Sequence, residues 1–417
     1  MTRDEGSNVG RQVAAACGIA VFLRLALAFV HVDPLLNPDA LAFRDLARSF
    51  AATGRLAYVD QGAPGVELFA FRSLLYPLFL ASMTAGGSFA PALVAQALLG
   101  VAIVPLMALL AIRAYGPRVA IATAWIGACY AGTIFNERQI ASEALFTPLL
   151  VAAAVLASGV RRLPAALFAG VLFGAAALVR PAGLVAGLAV AAVLALFPPE
   201  SGAKHRRRGA SLAAALLAGL GLALAPPMAR NAARVGSPVL LTSGGMNFWI
   251  GNGRGTVGEA WEVMAREAPR RGELGTDRYF YADMWAHSGE ILCGAPRLFA
   301  SKVAMYFSPL PRGAWNLSWR FLLPLAAIGW WWARTPRDPR AAGLLLAILV
   351  SQTALALAAV PWSRYRAPME PFLWPWAAAA CLGLWDDRKV GRPLLWALLL
   401  GSVALIVVQV VFGGGRT

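Results

Sequence analysis

The sequence predicts an all-α polytopic membrane protein: one bundle of about eleven transmembrane helices with an interfacial helix in its first outer loop. Three observations predict the membrane bundle. Hydrophobic residues make up 59% of the 417 positions and charged residues only 14%. A soluble domain is about one quarter charged, so this chain lacks the polar surface to cover a soluble particle of its size. The apolar residues also gather into long runs separated by short polar connections. Finally, the net charge of +16 resides almost wholly in Arg residues that lie between those runs. They form no basic helix face, so nucleic acid is rejected as the partner that such a charge would otherwise suggest.

By length and apolarity the spans fall at 13–31, 89–112, 119–135, 143–160, 163–179, 182–197, 210–229, 318–333, 341–360, 368–384 and 393–412. The first run is longer than a signal-peptide core and reads as an uncleaved span. The apolar segment Leu74–Ala85 is different. At about 12 residues it reaches only about 18 Å as a helix, against a hydrocarbon core of about 30 Å. Taken as non-spanning, it places Arg113, Arg118, Arg161, Arg162, the Lys204–Arg208 cluster, Arg334, Arg337, Arg340, Arg388, Lys389 and Arg392 on one side. The positive-inside rule makes that side cytoplasmic. The N-terminus is then cytoplasmic in a cell inner membrane, and two long loops, 32–88 and 230–317, face the periplasm. The second carries Gly- and Asn-rich turns (Ser243-Gly244-Gly245, Asn252-Gly253) and a mixed helical stretch near 277–306. Residues 1–417 form one membrane domain, without a visible transporter-like repeat. Cys17, Cys129, Cys293 and Cys381 have neither CxxC nor metal-ligand spacing, so no disulfide framework or structural zinc is indicated.

The first loop opens with Asn37-Pro38-Asp39, a helix start with an N-cap, a Pro and a first-turn acid. Arg44 and Arg48 share a face of the ensuing helix, and Asp45 is spaced to pair with Arg48. Asp39 reads in two ways on these residues alone. It favours the helix dipole, or it serves as a general base that takes a proton from an acceptor hydroxyl or amine. Glu143 opens the fourth span and is equally a helix N-terminal acid. Arg72, Arg364 and Arg366 stand beside apolar segments at the outer boundary. Each alone could be snorkelling; together they could form a basic pocket for a lipid phosphate, with Arg366 and Arg72 favoured. Arg24 lies about 16 Å along the first span and should face the bundle and be paired. His31 reads as interfacial. Trp249, Trp315, Trp319, Trp362 and Tyr365 suit an aromatic belt, with Trp249 a candidate surface for sugar stacking.

The segment Asp39–Arg48 resembles the first outer loop of the GT-C superfamily of membrane glycosyltransferases. It is most similar to the branch of protein O-mannosyltransferases and lipid A aminoarabinose transferases. Asp39, Phe43, Asp45 and Arg48 fit that branch's pattern, whereas Ala40 replaces the second member of its acidic pair. Arg72-Ser73-Leu74-Leu75-Tyr76-Pro77 resembles the basic-Pro-Pro-x-Tyr segment, whose helix lies along the membrane in that family. Ser142-Glu143 looks like the acid of the second outer loop. Arg180-Pro181, Arg230-Asn231, Asn247–Asn252 and Arg364–Pro368 also match in order, so the likeness covers nearly the whole chain.

The resemblance implies an inverting glycosyltransferase with Asp39 as general base, Glu143 in the site, and Arg72, Tyr76, Arg364, Arg366, Asn247 and Trp249 binding substrate. The implied donor is a polyprenyl-phosphate-linked sugar. Acceptors in that superfamily include proteins, lipid A, other glycolipids and wall polysaccharides. With no DxD or ExD near Glu143, a divalent metal has no support in the sequence, and no cofactor is implied. A flippase or transporter of a lipid-linked sugar is the alternative; the scarcity of midplane charge disfavours it. A degenerate binding subunit is left open by Ala40.

Overall fold

A computed structural model describes residues 3–28, 39–59, 66–84, 87–198, 203–308, 316–387 and 391–393. The chain begins with α1 (Arg3–Ala28) and α2 (Ala40–Thr53). A minimal antiparallel ribbon follows, β1 (Tyr58–Val59) against β2 (Glu67–Leu68), and then α3 (Leu75–Met83). The bundle continues through α4 (Ala90–Tyr115), α5 (Pro117–Cys129), α6 (Ala131–Glu137), α7 (Glu143–Ser158), α8 (Leu163–Val179), α9 (Ala182–Leu196) and α10 (Ala203–Val235). A second extramural layer holds α11 (Gly244–Gly251), α12 (Val257–Ala286) and α13 (Ser288–Phe307). The chain returns through α14 (Asn316–Trp332), α15 (Pro339–Ala358), two 3-10 turns (Ser363–Arg366 and Glu370–Leu373) and α16 (Trp374–Asp386). His31, Asn37, Pro38, Trp315 and, of the expected span 393–412, all but its first residue lie outside the described residues.

Ala, Leu and Val dominate the bundle helices, and Pro sits in the first turn of α4, α5, α8 and α15, where its missing N–H costs nothing. Small residues let the backbones close. A Cβ added at Gly170 of α8 would lie 1.9 Å from the Leu216 carbonyl, and one at Gly219 of α10 would lie 1.9 Å from the Leu167 carbonyl. This reciprocal contact is the kind that drives helix association where the solvent is lipid.

Among the described residues, four helical stretches are long and apolar enough to cross a bilayer: Glu5–Leu27, Ala90–Tyr115, His205–Val235 and Pro339–Ala358. The pair α5 and α6, bent by 45°, supplies a fifth. The apolar helices α7, α8 and α9 have 16, 17 and 15 residues, which reach about 23–26 Å. The sequence-derived span 368–384 is shortened, because Pro368 and Pro371 leave its start as a 3-10 turn (Glu370–Leu373) before α16 begins with Pro375 in its first turn. At nine residues, α3 is too short to cross.

The two ends of the bundle differ in chemistry. At one end, Arg113 donates to Ser158 and the Val155 carbonyl, Arg340 to the Ala157 carbonyl and Arg208 to the Arg161 carbonyl, while Arg118 pairs with Asp386. These are residues of the short basic loops. The opposite end carries α2, α3, the ribbon and the α11–α13 layer. There Leu68 and Phe71 pack with Met246, Trp249, Met264 and Phe280 in a separate apolar cluster. Ser243 and Asn252 cap a helix, α11, whose first turn contains Gly244 and Gly245, so this stretch is not one turn-rich loop. Asp45 pairs with Arg44 at 2.9 Å instead of Arg48, whose guanidinium lies over the Phe89 ring.

Arg24 is 1% exposed and faces the bundle, with Nε 2.9 Å from Glu137 of α6. Its other nitrogens donate to the Ala128 and Gly127 carbonyls and to Thr133 Oγ1. Glu137→Ala should cost about 3–5 kcal/mol by leaving a buried charge uncompensated, and Arg24→Met/Glu137→Leu should recover most of it. Thermal unfolding in detergent, with the double variant no more stable than Glu137→Ala, would contradict this.

Candidate functional site

Asp39 stands at the N-cap position of α2, yet its side chain makes no cap hydrogen bond. Its carboxylate instead divides between two guanidiniums from distant segments. Arg72 Nη2 lies 2.8 Å from Oδ1, and Arg364 Nη2 lies 2.6 Å from Oδ2. Arg72 comes from the turn between β2 and α3, Arg364 from the first 3-10 turn. Arg364 also donates to the Tyr365 hydroxyl at 3.2 Å and lies over the Trp362 and Tyr365 rings.

A second ion pair adjoins the first through Tyr365. The Arg180 guanidinium sits 4.9 Å from the centre of the Tyr365 ring and pairs with Glu143 at 2.5 Å, while donating to Ser142 Oγ at 3.0 Å. Local chemistry aims Arg180. It precedes Pro181, which disfavours helical geometry at residue 180, and it is extended (φ −149°, ψ 133°) just beyond α8. Three guanidiniums (Arg72, Arg180, Arg364) thus meet two carboxylates (Asp39, Glu143), leaving one positive charge in excess.

Burial alone would raise the Asp39 carboxyl, but the guanidiniums of Arg72 and Arg364, with Arg180 beyond them, outweigh it and hold the group at about 2. Asp39 is therefore ionised at neutral pH. A narrow crevice opens beside Arg72, lined by Arg72, Ser73, Leu178, Pro227, Arg230 and Asn231. The arrangement can receive an anion on its guanidiniums and present a carboxylate as proton acceptor. Among the described residues, no group of three His, Cys, Asp or Glu is placed to hold a metal.

The other sequence-derived candidates are placed differently. Tyr76 is fully buried; its ring packs edge-on against Phe43 and its hydroxyl donates to Gln96 Oε1 at 2.7 Å. Gln96 in turn donates to the carbonyls of Glu137 and Gln139, so Tyr76 supports the turn that leads to Glu143. Arg366 is 1% exposed and belongs to the interior. It lies over the Trp319 ring and donates to the Tyr306 and Ser308 carbonyls, which anchors the turn bearing Arg364. Trp319 is likewise core, not belt. Asn247 donates back to the Ser243 carbonyl. Trp249 is buried between Phe280 and the backbone at Gly255, with Nε1 donating to Asp283 at 2.7 Å. Tyr365, assigned to the aromatic belt by sequence, stands between the two ion pairs, and Arg180, present in the sequence reading only within the Arg180-Pro181 motif, joins the cluster. Arg180 carried a usable signal: an Arg in the two-residue turn between α8 and α9, on the side where the positive-inside rule disfavours it.

Neither a family model nor a curated protein sequence matches the chain. Solved structures do match its fold. One is archaeal oligosaccharyltransferase AglB from Archaeoglobus fulgidus in complex with an inhibitory peptide and a dolichol-phosphate (TM-score 0.56, 13% identity, 99% of this chain and 55% of that one). The apo form of the Archaeoglobus fulgidus oligosaccharyltransferase matches with a TM-score of 0.54 and 14% identity, over 97% of this chain and 55% of that one. The complex with Zn and sulfate matches with a TM-score of 0.53 and 14% identity, over 96% and 51%. The chain spans about half the length of these proteins. The chain thus shares the fold of part of each of these oligosaccharyltransferase structures over nearly its own whole length.

Two stability predictions follow from this geometry. Tyr76→Phe strands a buried amide oxygen on Gln96 and should cost about 1–3 kcal/mol; unchanged thermal stability would contradict the bond. Because the Asp39 carboxyl is lowered, its ion pairs stabilise the fold above the ordinary carboxylate value of about 4 and are lost as pH falls through about 2. The melting-temperature gap between wild type and Asp39→Asn should stay level from pH 7 to 5 and close only toward pH 2. A gap that closes between pH 7 and 5 would contradict it.

Proposed function

We propose that the chain is a membrane glycosyltransferase that moves a sugar from a polyprenyl-phosphate donor to an acceptor at the periplasmic face of the inner membrane. The observation that carries this reading is the single carboxylate held between Arg72 and Arg364 at the end of the bundle opposite the short basic loops. The fold shared with AglB, a protein whose complex contains a dolichol-phosphate, adds support. In this reading the N-terminus is cytoplasmic, α3 lies along the outer interface, and the bundle reaches about eleven spans, with 393–412 the last.

The reaction needs two things of the protein. The acceptor's hydroxyl or amine forms a bond to the anomeric carbon and gives its proton to Asp39. The bond from that carbon to the phosphate oxygen breaks on the opposite face, so the centre inverts, and polyprenyl phosphate leaves with added negative charge. Arg72 and Arg364 receive that charge as fixed, forked donors. Glu143 holds Arg180 beside them. Acceptor class remains a choice among proteins, lipids and glycans, with the α11–α13 layer the nearest candidate for selecting it.

A carboxylate held at about 2 is a poor base. The same guanidiniums that depress it are those a donor phosphate would claim. Donor binding would therefore draw cations from Asp39 and raise its basicity when an acceptor is to be deprotonated. With purified enzyme in nanodiscs, the acidic limb of kcat should lie at higher pH than that of kcat/KM for donor. Coincident limbs would contradict the exchange. Asp39→Asn should remain folded and abolish transfer, and full turnover by this variant would remove the base. Arg72→Ala and Arg364→Ala should raise KM for donor more than for acceptor; equal effects would remove the phosphate pocket.

A further inference from the structure

We propose that Glu273, on α12, is a positioning residue for Arg72, acting through the backbone of Phe69 and Ala70. The inference rests on the reading of Arg72 as a phosphate ligand. Residues 69–72 join β2 to α3 and have no helix or ladder to satisfy their peptide groups, so whatever takes those groups sets the path of the chain. Glu273 takes two of them. Its Oε2 accepts the Phe69 N–H at 2.7 Å and its Oε1 accepts the Ala70 N–H at 2.8 Å.

The carbonyls of the same two residues are held from elsewhere. Arg230 of α10 donates to the Phe69 carbonyl at 3.0 Å and to the Leu56 carbonyl at 2.9 Å, and the Thr242 N–H donates to the Ala70 carbonyl at 3.0 Å. All four peptide groups are thus engaged by residues more than 150 positions away in sequence. Thr242 Oγ1 completes the clamp by donating to Glu273 Oε1 at 2.5 Å.

Two local features make Glu273 suited to this task. Gly272 has a positive φ of 68° that breaks α12 directly before it, a conformation that costs glycine little. The break lets the carboxylate leave the helix line toward the β2–α3 turn. The charge also matters: a carboxylate offers two acceptor oxygens to two adjacent N–H donors, which a Gln amide cannot. From the clamp to the site the lever is short. Phe71 is buried against Met264 and Phe280, and the Arg72 guanidinium rests 5.2 Å from the centre of the Phe71 ring while it reaches Asp39.

A double-mutant cycle on the full chain in nanodiscs tests the proposal, with binding of a polyprenyl phosphate lacking sugar as the readout. Arg72→Ala should weaken binding roughly tenfold or more, the loss of a charge-assisted bond. Glu273→Gln keeps one acceptor but sets an amide N–H against the other donor, and should weaken binding several-fold. Thr242→Val should act in the same direction and less. In the Arg72→Ala background, Glu273→Gln should add nothing, because its effect passes through the missing guanidinium. A merely structural role would leave the two losses multiplying, and that result, or wild-type affinity in Glu273→Gln, overturns the proposal. If wild type fails to bind the lipid, or Arg72→Ala binds as wild type, the donor reading fails first and takes this inference with it.

Discussion

The proposed chemistry depends on one carboxylate shared by two guanidiniums. Asp39 is set at the mouth of α2, Arg72 comes from the turn before α3, and Arg364 from the turn before α16. None of these segments is regular structure that could place a side chain unaided. Each is held by something deeper. The Arg364 turn is anchored by Arg366 on Trp319 and the Tyr306 carbonyl, the Arg72 turn by Glu273 and Arg230, and the Glu143 turn by Gln96 beneath Tyr76. The charges of the candidate site are therefore the outer layer of a structure whose inner layer is also polar but closed.

This division explains why so many Arg residues are present in a bundle that should avoid them. A charge in an apolar protein is tolerated when paired and hydrogen-bonded. Arg24 with Glu137, and Arg366 with its carbonyls and ring, meet that condition inside the bundle and are closed to solutes. The Asp39 cluster meets it only in part. Asp39, Arg72, Arg180 and Arg364 are each about one-fifth exposed, and with the buried Glu143 they carry one more cation than anion among the described residues. An anion can therefore reach the guanidiniums beside Asp39, whereas it could not reach Arg24.

Much of this was legible in the sequence, for physical reasons. The helices announce themselves by apolar length, the basic end by short Arg-bearing loops, and the short α3 by its inability to cross. Asp39, Glu143, Arg72 and Arg364 were nominated by residue type and order and are found in one cluster. In the sequence Arg364 and Arg366, two residues apart, look alike, and nothing there separates the Arg that faces the cluster from the one that faces the core. In a 3-10 turn of three residues per turn, however, side chains two apart point well away from each other, one to the site and one to the core. Trp249 looked available because Asn and Gly surround it, yet those residues fold into α11 and bury the ring. Glu273 gave no signal, since its role exists only once α12 meets a turn 200 residues earlier. The partition of the polar set between site and scaffold is a property of packing, and residue type alone does not carry it.

The most direct test of the account is a structure of the full chain with a polyprenyl phosphate bound. The account predicts phosphate oxygens within hydrogen-bonding distance of Arg72 and Arg364, with at least one of the two withdrawn from Asp39. A phosphate seated elsewhere while both guanidiniums still grip that carboxylate would contradict it.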